Sequence, residues 1–241
     1  MTQAPLMDRI HITEDYDVPR VINGGWQLSA GHALERPLDL ADASRAFNRL
    51  IDMGFDTFDC ADIYTGVEDF FGGIIRERRK AGLRLPQIHT KFVPDLNDLA
   101  NVTPAYIENI ITRSLRRLGV ERLDAVQFHW WDYSVPGMVD VAGELVRLQE
   151  KGLIRLISTT NFNAVELRKL IDAGIPVATN QCQYSVLDRR PAMRLERLCR
   201  ETGVKLLCYG TVAGGFMSEK WLGAPKPDHF ETVSYTHLRA H

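Results

Sequence analysis

Several common chemistries are excluded by what this chain lacks. Its four cysteines form no CxxC pair, and its seven histidines form no HExxH or HxH pair. Zinc-ligand spacing is therefore missing, and no metal site is expected. Cys60, Cys182, Cys199 and Cys208 are expected as buried free thiols in a reducing compartment. No apolar run approaches a membrane span, and the start, Met1-Thr-Gln-Ala-Pro, has no charged region followed by an apolar core. The expected location is the cytoplasm, with no membrane partner. The formal charge of −2 leaves no basic face or tail for a polyanion, so nucleic acid is not an expected partner either.

What is present is a repeating unit. An amphipathic stretch, a glycine and an apolar run recur at Gly54, Gly119, Gly152, Gly174 and Gly203. Glycine just past a helix end takes the left-handed conformation that satisfies the last carbonyls. Strand-like runs fall at about 21–26, 55–59, 87–92, 123–129, 153–160, 177–182 and 204–209. Helices fill the gaps at about 40–53, 68–81, 104–118, 138–150, 163–173 and 189–202. The clearest helix starts with Thr103 as N-cap and Pro104 in the first turn.

Such alternation means parallel strands with right-handed crossovers. The first strand-to-helix turn lacks GxGxxG, which disfavours an open dinucleotide-binding sheet. Polar residues at the strands' C-terminal ends favour a closed (β/α)8 TIM barrel, whose active sites lie on that face. The expected fold is that barrel, truncated before its eighth strand and final helices. A single incomplete barrel domain is expected over 1–232, with a hairpin at about 9–18 closing its bottom. Residues 233–241 show neither helix nor strand periodicity and are expected to be a non-native tail. Gly72-Gly73, inside a helical stretch, reads as close helix packing.

Three of the strand-like runs end in chemistry. Asp59 closes one, with Tyr64 five residues on; Lys91 closes the next, and His129 the one after. Neighbouring parallel strand ends lie about 4.8 Å apart. A carboxylate, a phenol, an ammonium and an imidazole would then converge, a set suited to delivering a proton to a carbonyl oxygen. Singly, Asp59 reads equally as a helix cap, Lys91 as a surface residue and His129 as a core histidine.

The segment Gly54-Phe-Asp-Thr-Phe-Asp-Cys-Ala-Asp-Ile-Tyr64 resembles the signature of the aldo/keto reductases. So do Thr90-Lys91-Phe92, Gln127-Phe-His129-Trp130, Thr160-Asn161-Phe162 and Asn180-Gln181, in family order, within a resemblance running from about Arg20 to Pro227. The resemblance implies a barrel that binds a nicotinamide cofactor, NADP with NAD as the alternative. It implies Tyr64 as general acid, Lys91 and Asp59 as its charged support, and His129 as a hydrogen-bond partner of the carbonyl oxygen. Thr160, Asn161 and Gln181 would hold the nicotinamide carboxamide, and Tyr209 would stack on its ring. Gly24 and Gly25 would let backbone approach the cofactor, and Gly210 and Thr211 would follow the pyrophosphate. Trp26 and Trp130 are expected as walls of the substrate pocket, with Trp131 as packing. Nothing after Pro227 matches the family's basic segment for the adenosine 2′-phosphate.

Three functions follow from these residues. The first is reversible NAD(P)H-dependent reduction of aldehydes and ketones by a monomer. The others are a non-catalytic cofactor-binding regulatory subunit and an inactive fragment.

Overall fold

The repeating glycines set the rhythm of the fold. Gly54, Gly119, Gly152, Gly174 and Gly203 all take positive φ, between 68° and 94°. Each reverses the chain from a helix into the next strand, which a residue with a Cβ does poorly. The computed structural model describes residues 8–29, 39–215 and 217–225. The expected non-native tail at 233–241 lies outside the described residues.

In chain order the elements are β1 (Arg9–Thr13), β2 (Tyr16–Pro19), β3 (Asn23–Gly24), α1 (Leu40–Asp52), β4 (Thr57–Asp59), α2 (Val67–Lys80), β5 (Gln87–Phe92) and α3 (Pro104–Leu118). They continue as β6 (Leu123–Phe128), α4 (Met138–Glu150), β7 (Ile154–Thr160), α5 (Ala164–Asp172), β8 (Val177–Gln183), α6 (Arg194–Thr202) and β9 (Lys205–Tyr209). The Thr103 hydroxyl accepts from the Tyr106 amide at the start of α3, as its N-cap position requires. Two boundaries differ from the sequence reading. The strand expected at 21–26 keeps only Asn23–Gly24, because the chain winds into a 3-10 turn at Trp26–Leu28. The helix expected from 189 is regular only from Arg194, since Pro191 sits in a preceding 3-10 turn and has no amide to donate.

Strands β3 to β9 form one parallel sheet in sequence order, each pairing with its predecessor. The order never reverses, so the sheet curls as a half-barrel instead of winding both ways from a switch point. Alternation along each strand sorts its two faces. Phe58, Ile88, Val126, Phe128 and Ile157 join the buried apolar cluster shared with the helices. Thr57, His89, Lys91, Gln127 and Ser158 are also buried, and they furnish a polar lumen.

Antiparallel β1 and β2 form the expected hairpin. Ile12, Tyr16 and Val18 pack on Ala125 and Leu156, closing the lumen's lower end. Arg9 ties the hairpin to Asp56 at 2.8 Å, and Arg155 binds Asp15 at 2.9 Å. Between α2 and α3, a Cβ on Gly72 would lie 2.1 Å from the Arg117 carbonyl oxygen. Only glycine permits that approach, which fixes the helix pair. No helix among the described residues is long and apolar enough to cross a membrane.

Candidate active site

The parallel register brings the strand-end residues together. Gly24 pairs with Asp59, Lys91 with Gln127, Gln127 with Ser158, and Thr160 with Gln181. The Lys91 ammonium lies 2.8 and 2.7 Å from the two Asp59 oxygens and 2.8 Å from the Cys60 carbonyl. Those acceptors satisfy all three of its protons, as a buried ammonium needs. Burial alone would lower the Lys91 pKa. The Asp59 carboxylate and the Tyr64 phenol outweigh it, and the net shift is upward. Lys91 is therefore charged at neutral pH.

Two amides complete the carboxylate's shell. Gln127 Nε2 and Gln181 Nε2 each donate to Asp59 Oδ1 at 2.7 Å. Gln127 belongs to the Gln127-Phe-His129-Trp130 motif, which implies no role for it. Its signal was present all the same, since alternation places it on the same face as the strand-end lysine.

Tyr64 lies on the turn between β4 and α2, where its amide donates to Ala61 and its carbonyl accepts from Val67. The Lys91 ammonium is 5.2 Å from its ring centroid. Burial pushes the phenol above its usual pKa, while the Lys91 charge pulls it back. The turn is braced from beneath. Asp62 accepts from the Val93 amide at 3.3 Å, and its own carbonyl accepts from Arg117 at 3.1 Å. Buried Glu68 accepts from the Thr90 hydroxyl at 2.7 Å and pairs with Arg117 at 3.2 Å. The sequence reading missed this brace, because its members are scattered over four segments without a motif.

His129 follows β6, with Nδ1 3.3 Å from the Thr160 carbonyl oxygen. A carbonyl only accepts, so Nδ1 carries the proton in this contact. Burial lowers the imidazole pKa, against the pull of that carbonyl, so the ring is neutral at pH 7. Its Nε2 is then an acceptor. It suits the hydroxyl of an alcohol better than the bare oxygen of a carbonyl, which differs from the role expected above.

The two tryptophans after β6 differ in exposure. Trp130 is 1% exposed, donates to the Val135 carbonyl at 3.2 Å and packs against Phe128. It offers no surface to a substrate. Trp131 is 47% exposed, anchored to the Pro94 carbonyl at 2.8 Å, with its ring edge-on to His129 at 4.5 Å. They differ because alternation breaks where β6 ends. Trp26 stands half-buried on the 3-10 turn after β3.

The residues expected at the cofactor also converge. Asn161 has φ 61°, a conformation that asparagine tolerates better than most residues, and its side chain accepts from the Tyr209 hydroxyl at 2.9 Å. Thr160 Oγ1 donates to the Gln181 side-chain oxygen Oε1 at 3.3 Å. Gly210 turns at φ +67° beside Gln183, and Thr211 is exposed beyond it. Space above Gly24 is open, whereas a Cβ on Gly25 would meet Val67 and Phe71 at 2.9 Å. Packing against α2 thus requires glycine at position 25. A nicotinamide dinucleotide fits this donor set. Thr160, Asn161 and Gln181 offer the hydroxyl and amides that a carboxamide pairs with, and Gln183 Oε1 is a buried acceptor with no partner, beside Gly210.

The sequence profile of the aldo/keto reductase family matches residues 20–237. The chain belongs to that family. It is 28% identical over 208 residues to the aldo-keto reductase yakc [NADP(+)] of Schizosaccharomyces pombe, covering 83% of this chain and 59% of that protein. It is 27% identical over 230 residues to the NADH-specific methylglyoxal reductase of Escherichia coli, covering 86% and 67%. The glycerol dehydrogenase structure from Gluconobacter oxydans matches with a TM-score of 0.73 at 25% identity, over 92% of this chain and 68% of that one. The chain thus spans about three fifths to two thirds of the length of these relatives. An aldo/keto reductase reading accounts for the parallel barrel-type sheet and for the absence of a glycine-rich dinucleotide loop.

Proposed function

We propose that this protein is an NAD(P)H-dependent oxidoreductase that reduces aldehydes and ketones to alcohols, and runs in reverse on alcohols. The observation that carries the proposal is the Asp59–Lys91 pair, which keeps an ammonium charged and buried beside the Tyr64 phenol.

When bound, the reduced nicotinamide supplies the hydride. Tyr64 donates its phenolic proton to the substrate oxygen. Its raised pKa makes it a weak donor at rest, so transfer follows the build-up of negative charge on that oxygen. Lys91 stabilises the phenolate that remains, and Asp59 with its two amide donors holds Lys91 in place. Neutral His129 accepts from the alcohol hydroxyl. Trp131 and Trp26 give the carbonyl's apolar substituent a wall. Thr160, Asn161 and Gln181 grip the nicotinamide carboxamide, Tyr209 covers the ring, and Gly210 and Thr211 follow the pyrophosphate. Because Gln181 also donates to Asp59, cofactor grip and acid support share one side chain. NADPH is the favoured form on the likeness to the fission yeast enzyme, and NADH the alternative on the likeness to the bacterial one.

Tyr64→Phe tests the reading. Aldehyde reduction, followed by cofactor absorbance, should fall about 10²- to 10⁴-fold, the usual worth of a general acid. Tryptophan fluorescence quenching by NADPH should be unchanged. Full turnover in the variant would remove Tyr64 from the acid's role.

A further inference from the structure

Three of the four thiols gather on the helix side of the sheet, away from the lumen. Cys182 on β8 and Cys199 on α6 belong to the buried apolar cluster. Cys208 on β9 is the registered strand partner of Cys182 and is exposed. Registered residues of parallel strands project to the same face with Cα atoms about 4.8 Å apart. That separation lies within the roughly 4.4–6.8 Å that a disulfide spans.

We propose that Cys182 and Cys208 form a peroxide-oxidisable dithiol, a modification site in which Cys208 is the attacking and Cys182 the resolving thiol. The Cys208 sulfur attacks one oxygen of hydrogen peroxide and the O–O bond breaks. Sulfur is oxidised to a sulfenic acid, and the other oxygen leaves as water with the thiol proton. The Cys182 sulfur then attacks the sulfenic sulfur. An S–S bond forms, the S–O bond breaks, and a second water leaves with the Cys182 proton. Two thiols and one peroxide thus give one disulfide and two waters.

The division of labour follows from surroundings. The neighbouring Cys182 thiol lowers the Cys208 pKa against the opposing effects of burial and Glu196, while Cys208 and burial raise that of Cys182. A thiolate is the nucleophile, so the exposed partner reacts first. Burial raises the Cys199 thiol to about 11 and pushes buried Cys60 well above the ordinary thiol value, which keeps both out of the reaction. A link at this position joins the strands that carry Gln181 and Tyr209 on their other face, yet the inference does not depend on the reductase reading.

The test reads sulfur chemistry alone, on the full chain. Peroxide should remove two of the four titratable thiols, and peptide mapping should recover Cys182 joined to Cys208. Cys208→Ser should leave all three remaining thiols reduced. Cys182→Ser should strand Cys208 as a sulfenic acid that dimedone captures. Recovery of over-oxidised Cys208 with Cys182 still a free thiol in the unmodified sequence would overturn the proposal, whatever the variants do. So would undiminished peroxide consumption by Cys208→Ser.

Discussion

Two basic side chains stand two residues apart on β5, both buried in the same lumen, and they meet opposite fates. Lys91 has a carboxylate and a carbonyl within 2.8 Å, and its pKa rises. His89 has only the Tyr16 hydroxyl, at 3.0 Å from Nε2, while its Nδ1 has no partner. Burial drives its pKa down to about 4, against the pull of Asp59. Depth does not decide which base keeps its proton; a partner that stabilises the charged form does. The upper lumen thus holds charge where chemistry needs it, and His89 below it stays neutral.

Breaking the charged half should cost most. Asp59→Asn leaves the Lys91 ammonium buried without its countercharge, a situation that typically costs about 3–5 kcal/mol. Urea unfolding should show that loss, and turnover should fall with it. Normal stability in this variant would mean that Lys91 is neutral in the native protein.

The neutral half gives a pH signature. A histidine whose folded pKa is depressed stabilises fully above its unfolded value near 6.5, and the contribution disappears as pH falls through the folded value of about 4. Stability relative to a His89→Gln variant should therefore decline by on the order of 3 kcal/mol across that window. Parallel pH–stability curves for the two proteins would show that His89 does not titrate this way.

Smaller effects test the scaffold that keeps the halves apart. Gly72→Ala must push α2 away from the Arg117 carbonyl, an overpacking cost of about 1–3 kcal/mol measurable by thermal melting. Thr103→Ala removes the hydroxyl that caps α3 and should cost about 1 kcal/mol without changing turnover.

Most of the scaffold was legible in the sequence because local chemistry and global topology agree. Thr103, Pro104 and Gly119 bracket a helix on their own terms, and the sheet then requires that helix as a crossover. The charged strand ends were legible because their residue types are costly to bury without purpose. The tryptophans were not. Adjacent Trp130 and Trp131 look alike in a sequence, and only the path of the chain after β6 sends one into the core and the other to the rim. The Asp62, Glu68 and Arg117 brace escaped notice because its contacts join segments far apart along the chain.

Direct observation of the Lys91 side chain gives the sharpest test. With ¹³C-labelled lysine, the Lys91 Cε resonance, assigned by Lys91→Met, can be followed through alkaline pH. Its midpoint should lie above the ordinary lysine value of 10.5. A midpoint below that value would mean that burial outweighs Asp59 and would contradict the account.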